Sequence, residues 1–297
     1  MDISSTGLRV LRQIAESGSF TAAAVRLGYT QSAVSRQAAA LEHSAGAVLF
    51  ERRPDGVRLT PAGLTLLRHA RTMLAALAAA ERDLTGGAAH SAPVRCGAVP
   101  SAGAAIWPAA LARLAQTDPH LTVTTREGTT PSLVRALRAG SLDLAVLTSR
   151  PPHRPFDGET PRLHLQTVAE TELAVAAPAR GDFAGRASVH VDELAEAAWI
   201  AAPSSGSEPL LGVWPGLPGR PRIVHTARDW LTKLHLVAGG FGVTTVPVRL
   251  APVLPPGVSL LRVEGAPVEV RRVLVARLAG RPAPALTAVT QAIMSAA

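Results

Sequence analysis

The 297-residue chain predicts two folds in series, a small N-terminal winged helix-turn-helix (all-α with a wing) and a larger α/β domain. Three observations predict them. Thr21 to Thr60 reads as two short helices joined by a tight turn, then a glycine-tipped hairpin. A long helical stretch starts at Pro61 and ends near Thr85, before Gly86-Gly87. After a small, polar, proline-ended link, Ala88 to Pro93, strand-like runs alternate with helix-like ones.

The first helix, about Gly7 to Ser17, places Leu8, Leu11 and Ala15 on one face, with Val10 and Ile14 beside it. Gly18 suits a helix stop. Thr21 is placed to cap Ala22 to Leu27, Gly28 to end that helix in the left-handed conformation, and Thr30 to start the next. In the third helix Val34, Ala38 and Leu41 share a buried stripe, while Ser32, Ser35, Arg36 and Ala39 share a small, polar, basic face. Such a face approaches base edges closely, with Arg36 able to fork onto guanine and Gln31 able to present an amide to adenine. The plainer reading is a solvated helix face.

In the long helix, residues 61–90 with the hinge, Leu67 and Leu74 are seven apart, as are Ala70, Leu77 and Leu84. This seam favours side-by-side pairing of two helices, although three turns also fit packing on the helix's own domain. The α/β portion runs Val94–Val99, Gly103–Gln116, Leu121–Arg126, Pro131–Ala139 and Leu142–Thr148, then Leu173–Ala177, Trp199–Ala202, Arg222–Thr226, Asp229–Ala238 and Val243–Val246. This grammar predicts a mainly parallel sheet with helices on both faces. Late strands, Val258–Val263 and Val268–Ala276, and a helix near Leu286–Met294 are expected to return to the first half.

Composition bounds the function. No apolar run reaches the length of a bilayer span, and early Asp2 with no charged-then-apolar leader predicts a cytoplasmic protein. The single cysteine, Cys96, lies in an apolar strand-like run and reads as a buried structural thiol. The net charge of +8 suits a polyanion, but +3 falls in residues 1–90 and the rest is spread onward, so charge is permissive only. A phosphate loop, an HExxH helix and a G-x-S-x-G elbow are all missing, so no catalytic residue and no metal ligand is assigned and an enzyme is disfavoured.

The N-terminal residues resemble the LysR-type transcriptional regulators. The likeness is carried by Ser19-Phe20-Thr21-Ala22-Ala23-Ala24, Leu27, Gln31-Ser32-Ala33-Val34-Ser35-Arg36-Gln37, Leu41-Glu42, Leu49-Phe50-Glu51-Arg52 and Val57-Arg58-Leu59-Thr60-Pro61-Ala62-Gly63. The resemblance implies that Gln31, Ser32, Ser35 and Arg36 face DNA. Ala39 and Asp55 stand where relatives often carry basic residues, and an Asp at a wing tip repels phosphate, so Arg52 or Arg53 is expected to serve there. The resemblance also implies a homodimer or homotetramer that reads inverted-repeat half-sites in double-stranded DNA, with RNA polymerase as a further partner.

Leu142-Asp143-Leu144-Ala145-Val146 and Gly239-Gly240-Phe241-Gly242-Val243 extend the resemblance to an effector domain of two lobes like a periplasmic binding protein. The implied division is residues 1–60 for DNA binding, 61–90 for the linker helix, 91–164 with 267–297 for the first lobe and 165–266 for the second. A small-molecule effector, with no other cofactor, is expected at strand carboxyl ends between the lobes. Ser101, Thr129 and Thr130 are its first-lobe candidates, against plain helix capping, the commoner job of Ser and Thr at such positions. Ser204, Ser205 and Thr226 are second-lobe candidates, beside a Gly- and Pro-rich segment, Gly206 to Pro221, that departs from the family pattern. Trp107, Trp199 and Trp230 fit either a pocket or a core. The competing reading is a small-molecule binding protein with no DNA role; an architectural DNA binder has no use for two lobes.

Overall fold

The structure, a computed structural model, describes residues 2–54, 56–84, 92–150, 161–203, 211–217 and 219–297. Local capping chemistry sets the first helices. Helix α1 (Ser5–Ser17) starts where the Ser4 hydroxyl accepts the Gly7 N–H and stops at Gly18, φ 67°. Helix α2 (Phe20–Leu27) is capped by Ser19, whose hydroxyl accepts the Ala22 N–H, so Thr21 lies inside the first turn instead of capping it. Starting the helix there puts Phe20 in the core, 5.7 Å from the Phe50 ring. Thr30 caps α3 (Gln31–Ala45) as expected, and Gly28 takes the left-handed conformation. The hairpin consists of β1 (Phe50–Arg53) and β2 (Gly56–Leu59), paired antiparallel. Asp55, at its tip, lies outside the described residues.

Helix α4 (Pro61–Leu84) divides the predicted seam in two. Leu67, Ala70 and Leu74 are buried in one core with Leu8, Leu11 and Ile14 of α1. The first half of the helix therefore belongs to the DNA-binding domain and not to a separate linker. The apolar stripe left outward is Met73, Leu77, Ala80 and Leu84.

The α/β portion follows as β3 (Val94–Ala98), α5 (Pro100–Thr117), β4 (Val123–Glu127), α6 (Thr130–Ala139) and β5 (Leu144–Ser149). Next come β6 (Leu163–Pro178), β7 (Ser188–His190), α7 (Val191–Ala195), β8 (Ala198–Ala201), β9 (Arg222–Thr226), α8 (Trp230–Ala238), β10 (Thr244–Pro247), β11 (Val258–Glu264), β12 (Val270–Leu278) and α9 (Pro284–Ala296). Strand β5 carries Leu144, Ala145, Val146 and Leu147, all fully buried, as a strand covered on both faces must.

The sheet is mixed, not mainly parallel. Its order is β4-β3-β5-β12-β6-β11-β7, with β10 also on β6. The β4-β3-β5 segment is parallel, whereas β12 lies antiparallel to both β5 and β6. The reason is the path of the chain. β12 returns from the second lobe and slots between β5 and the long β6. Residues 163–172 of β6 pair with β12 and residues 173–178 with β10 or β11, so the lobes change inside that strand, at Leu173, and not at residue 165. β11 stays in the second lobe, on β6 and β7, so of the late strands only β12 and then α9 return to the first.

The join between hairpin and α4 is tight at Gly63. Its N–H donates to the Thr60 hydroxyl at 3.1 Å, and a Cβ there would press on the Leu49 carbonyl oxygen. That oxygen is held in place by the Thr60 N–H at 3.0 Å. Gly63→Ala should destabilise the DNA-binding domain by roughly 1–3 kcal/mol; an unchanged denaturant midpoint would show that the backbone yields.

Candidate DNA interface and effector crevice

Polar residues at the start of α3 lock one another. The Gln31 Nε2 donates to Ser35 Oγ at 2.9 Å, and the Thr30 and Ser32 hydroxyls lie 3.0 Å apart. Gln31, Ser32 and Arg36 are exposed and Ser35 half-buried, on the side opposite buried Val34, Ala38 and Leu41. Arg36 has no ion-pair partner among the described residues. Tyr29, the only tyrosine, is exposed in the turn just before this helix, where a phenol can donate to phosphate; its place beside the Gly28 stop was the signal that sequence reasoning passed over.

The wing arginines are already engaged. The Arg52 guanidinium lies 5.0 Å from the Phe20 ring centroid, and Arg53 pairs with Glu51 at 3.0 Å. Arg52 thus braces the hairpin on α2, and the Arg53 charge is partly offset.

In the first lobe, three parallel strands end side by side, tied by Val99 N–H to Val146 O and Gly128 N–H to Ala98 O, both 3.1 Å. This brings Ser101, Thr129 and Thr130 to one edge, in three different states. Ser101 lies in the first turn of α5, whose N-cap is Val99, and its hydroxyl has no hydrogen-bond partner among the described residues. Thr129 caps α6, accepting the Ser132 N–H at 3.4 Å. The Thr130 hydroxyl donates to the Thr148 carbonyl at 3.4 Å. In the second lobe Thr226 ends β9 exposed, and Ser204 and Ser205 lie outside the described residues. Trp199 is core, fully buried with its indole N–H on Leu194 O at 3.1 Å, whereas Trp107 and Trp230 are half-buried.

The two domains meet at the end of α1, which no sequence pattern marked. Glu16 is 6% exposed, and its Oε1 accepts from Arg26 of α2 at 2.9 Å and from Arg126 of β4 at 2.7 Å. Its backbone carbonyl accepts from Arg135 of α6 at 3.0 Å. Burial pushes the Glu16 carboxyl up, but hydrogen bonds from Ser141 and Arg126, with the charges of Arg126 and Arg26, together outweigh it and hold the group below its ordinary range. A cavity of about 260 Å³ opens beside this contact, between α1, α2 and α6. Nearby, Arg95 grips Asp143 through two side-chain bonds of 3.1 and 2.7 Å. Burial and the Arg95 charge pull Arg12 and Arg71 below the usual arginine value.

Other chemistry is not in evidence. No group of metal-ligating side chains occurs among the described residues, and none of their helices is long and apolar enough to cross a membrane. Cys96 is 1% exposed, and burial with the nearby Asp143 charge pushes its thiol up to about 12.

The fold and these surfaces define a DNA-binding domain coupled to a two-lobed ligand-binding domain. Comparison agrees. Residues 6–64 match the family described as bacterial regulatory helix-turn-helix protein, lysR family, and residues 87–297 match the LysR substrate binding domain. The chain is 31% identical over 255 residues to a probable hydrogen peroxide-inducible genes activator of Mycobacterium avium, covering 83% of this chain and 78% of that one. It is also 31% identical over 290 residues to the small neutral protease regulatory protein of Streptomyces coelicolor, covering 93% and 83%. A full-length OxyR variant from Pseudomonas aeruginosa shares the fold, with TM-score 0.59 and 24% identity over 99% of this chain and 98% of that one. The chain belongs to the LysR family of transcriptional regulators, with a helix-turn-helix and an effector-binding domain. Members of this family regulate transcription through DNA binding.

The Glu16–Arg126 pair should behave as one unit. Glu16→Ala and Arg126→Ala should each cost roughly 1–3 kcal/mol, and together less than their sum by about 0.5 kcal/mol or more; strict additivity would show two independent contacts. Because the folded pKa of Glu16 is depressed, this stabilisation is complete above the ordinary value of 4.5 and drains away as pH falls through the lower folded value. An acid limb that persists unchanged in Glu16→Gln would assign it to other groups.

Proposed function

We propose that this regulator is cytoplasmic and binds an operator of inverted-repeat half-sites as a homodimer or homotetramer, reading bases with Gln31, Ser32, Ser35 and Arg36. The observation that carries this reading is the outward face of α3, where a mutually bonded amide and hydroxyls flank an exposed arginine with no ion-pair partner among the described residues. Arg52 and Arg53 contribute positive charge to the phosphates and not a minor-groove finger, since each already has an internal partner. RNA polymerase is the partner through which a bound regulator would act on transcription.

The effector is a small molecule, with no metal or other cofactor, held at the crevice by Ser101, with Thr129, Thr130 and Thr226 around it. Ser101 is the strongest of these because its hydroxyl is left unbonded, whereas Thr129 and Thr130 already serve the backbone. Peroxide acting on a thiol is disfavoured as the signal here. Its chemistry requires an accessible thiolate, and Cys96 is both buried and raised to about 12.

Arg36→Ala should weaken binding to the footprinted operator by about 1–3 kcal/mol and relax base preference; operator affinity equal to wild type would remove Arg36 from base reading. Ser101→Ala should spare operator affinity and shift the effector dose response, with Thr129→Ala a smaller shift, scored by footprinting against effector concentration. Identical dose responses in both variants would move the site elsewhere in the crevice.

A further inference from the structure

The chain has one lysine, Lys233, and it is in an unexpected place. It sits on the inner face of α8 with Leu234 and Val237, and only 4% of it is exposed. Its ammonium lies 5.3 Å from the centroid of Trp230, the first residue of the helix, so the side chain runs back toward the helix N-terminus. There it faces the positive end of the helix dipole, the wrong end for a cation. No hydrogen bond or ion pair satisfies it among the described residues. The carboxylate whose charge acts on it, Asp229, is spent on capping, accepting the Thr232 N–H at 2.7 Å.

Burial of a cation without an acceptor is unfavourable, and the face of one indole returns only part of the lost hydration. Burial accordingly pulls the Lys233 pKa down, against a smaller opposing effect of the Asp229 charge. The site lies at the carboxyl ends of the parallel strands β8 and β9, where the Ala227 N–H meets Ala201 O at 3.0 Å just before α8. In α/β folds that end of the strands is where ligands enter.

We propose that Lys233 and the N-terminal turn of α8 form the second lobe's anion subsite, which takes the carboxylate of a small organic acid as effector. This rests on the reading that the crevice binds the effector. The arrangement favours a single negative charge, because one ammonium lies beside the helix N-terminus and the Asp229 carboxylate repels a second charge. Phosphate, a dianion suited to forked or multiple donors, fits it less well.

Because Lys233 is the only lysine, selective 13C/15N-lysine labelling of the full chain yields a single side-chain signal. That signal should shift saturably with at least one of acetate, butyrate and benzoate, titrated to roughly tens of millimolar to saturate a millimolar site. The matching amides and inorganic phosphate should leave it in place. By calorimetry Lys233→Met should bind the active acid about tenfold or more weakly, Lys233→Arg should recover part of the loss, and both should protect the operator as wild type does. A signal unmoved by every acid, or moved equally by acid, amide and phosphate, would overturn the subsite. Loss of operator-specific protection by the wild-type protein would instead overturn the regulator reading, so the two failures are separable.

Discussion

The carboxylate of Glu16 is the constraint around which both domains are arranged. A charge with so little exposure is costly unless its lone pairs are filled by cations and hydrogen bonds, and here the filling comes from two domains. Arg26 holds it from within the DNA-binding domain, and Arg126 from the first lobe. The adjoining backbone is used as fully. The Glu16 carbonyl takes Arg135 at the negative end of α1, and the Gly18 carbonyl takes the Val57 N–H of the hairpin at 2.8 Å. The end of α1 therefore joins α2, the wing, β4 and α6 within three residues.

That junction ties the first lobe to the helices of the helix-turn-helix. Helix α6 begins at Thr129 and Thr130, beside Ser101 at the crevice, and one turn later presents Arg135 to α1. A ligand that pulls on the start of α6 also loads the contact that positions α1, and α2 and α3 pack directly on α1. A contiguous path is not a switch by itself. The effector must bind one placement of the domains better than the other, and the size of the response is bounded by that difference.

Arginine and lysine divide the work. Arginines build the interdomain contacts, Arg126 on the Glu16 carboxylate and Arg135 on its backbone carbonyl, and within the first lobe the planar fork of Arg95 meets Asp143 with two bonds at once. The one lysine stands apart, largely buried with its charge over an aromatic face and no hydrogen bond among the described residues. Cys96 shows the opposite outcome of burial, a group made inert by it.

The sequence by itself determined what depends on neighbours a few residues apart. The Gly28 stop, the Thr30 cap and the i, i+4, i+7 stripe of Val34, Ala38 and Leu41 follow from short-range sterics and periodicity, and with them the polar outward face of α3. The alternation of strands and helices and the buried character of Cys96 were legible for the same reason. Tertiary structure alone decided the rest. Leu67, Ala70 and Leu74 have the spacing of a pairing seam, and only the position of α1 shows that their own domain uses them. Strand β6 reads as a lobe boundary until its two sets of partners, near in space and far in sequence, make it one strand in both lobes. Whether a hydroxyl caps a helix or stays open to a ligand separates Thr129 from Ser101, although both stand at helix starts. Glu16 and Arg126 are 110 residues apart, and no local pattern encodes a pairing that exists only once the chain has brought two domains together.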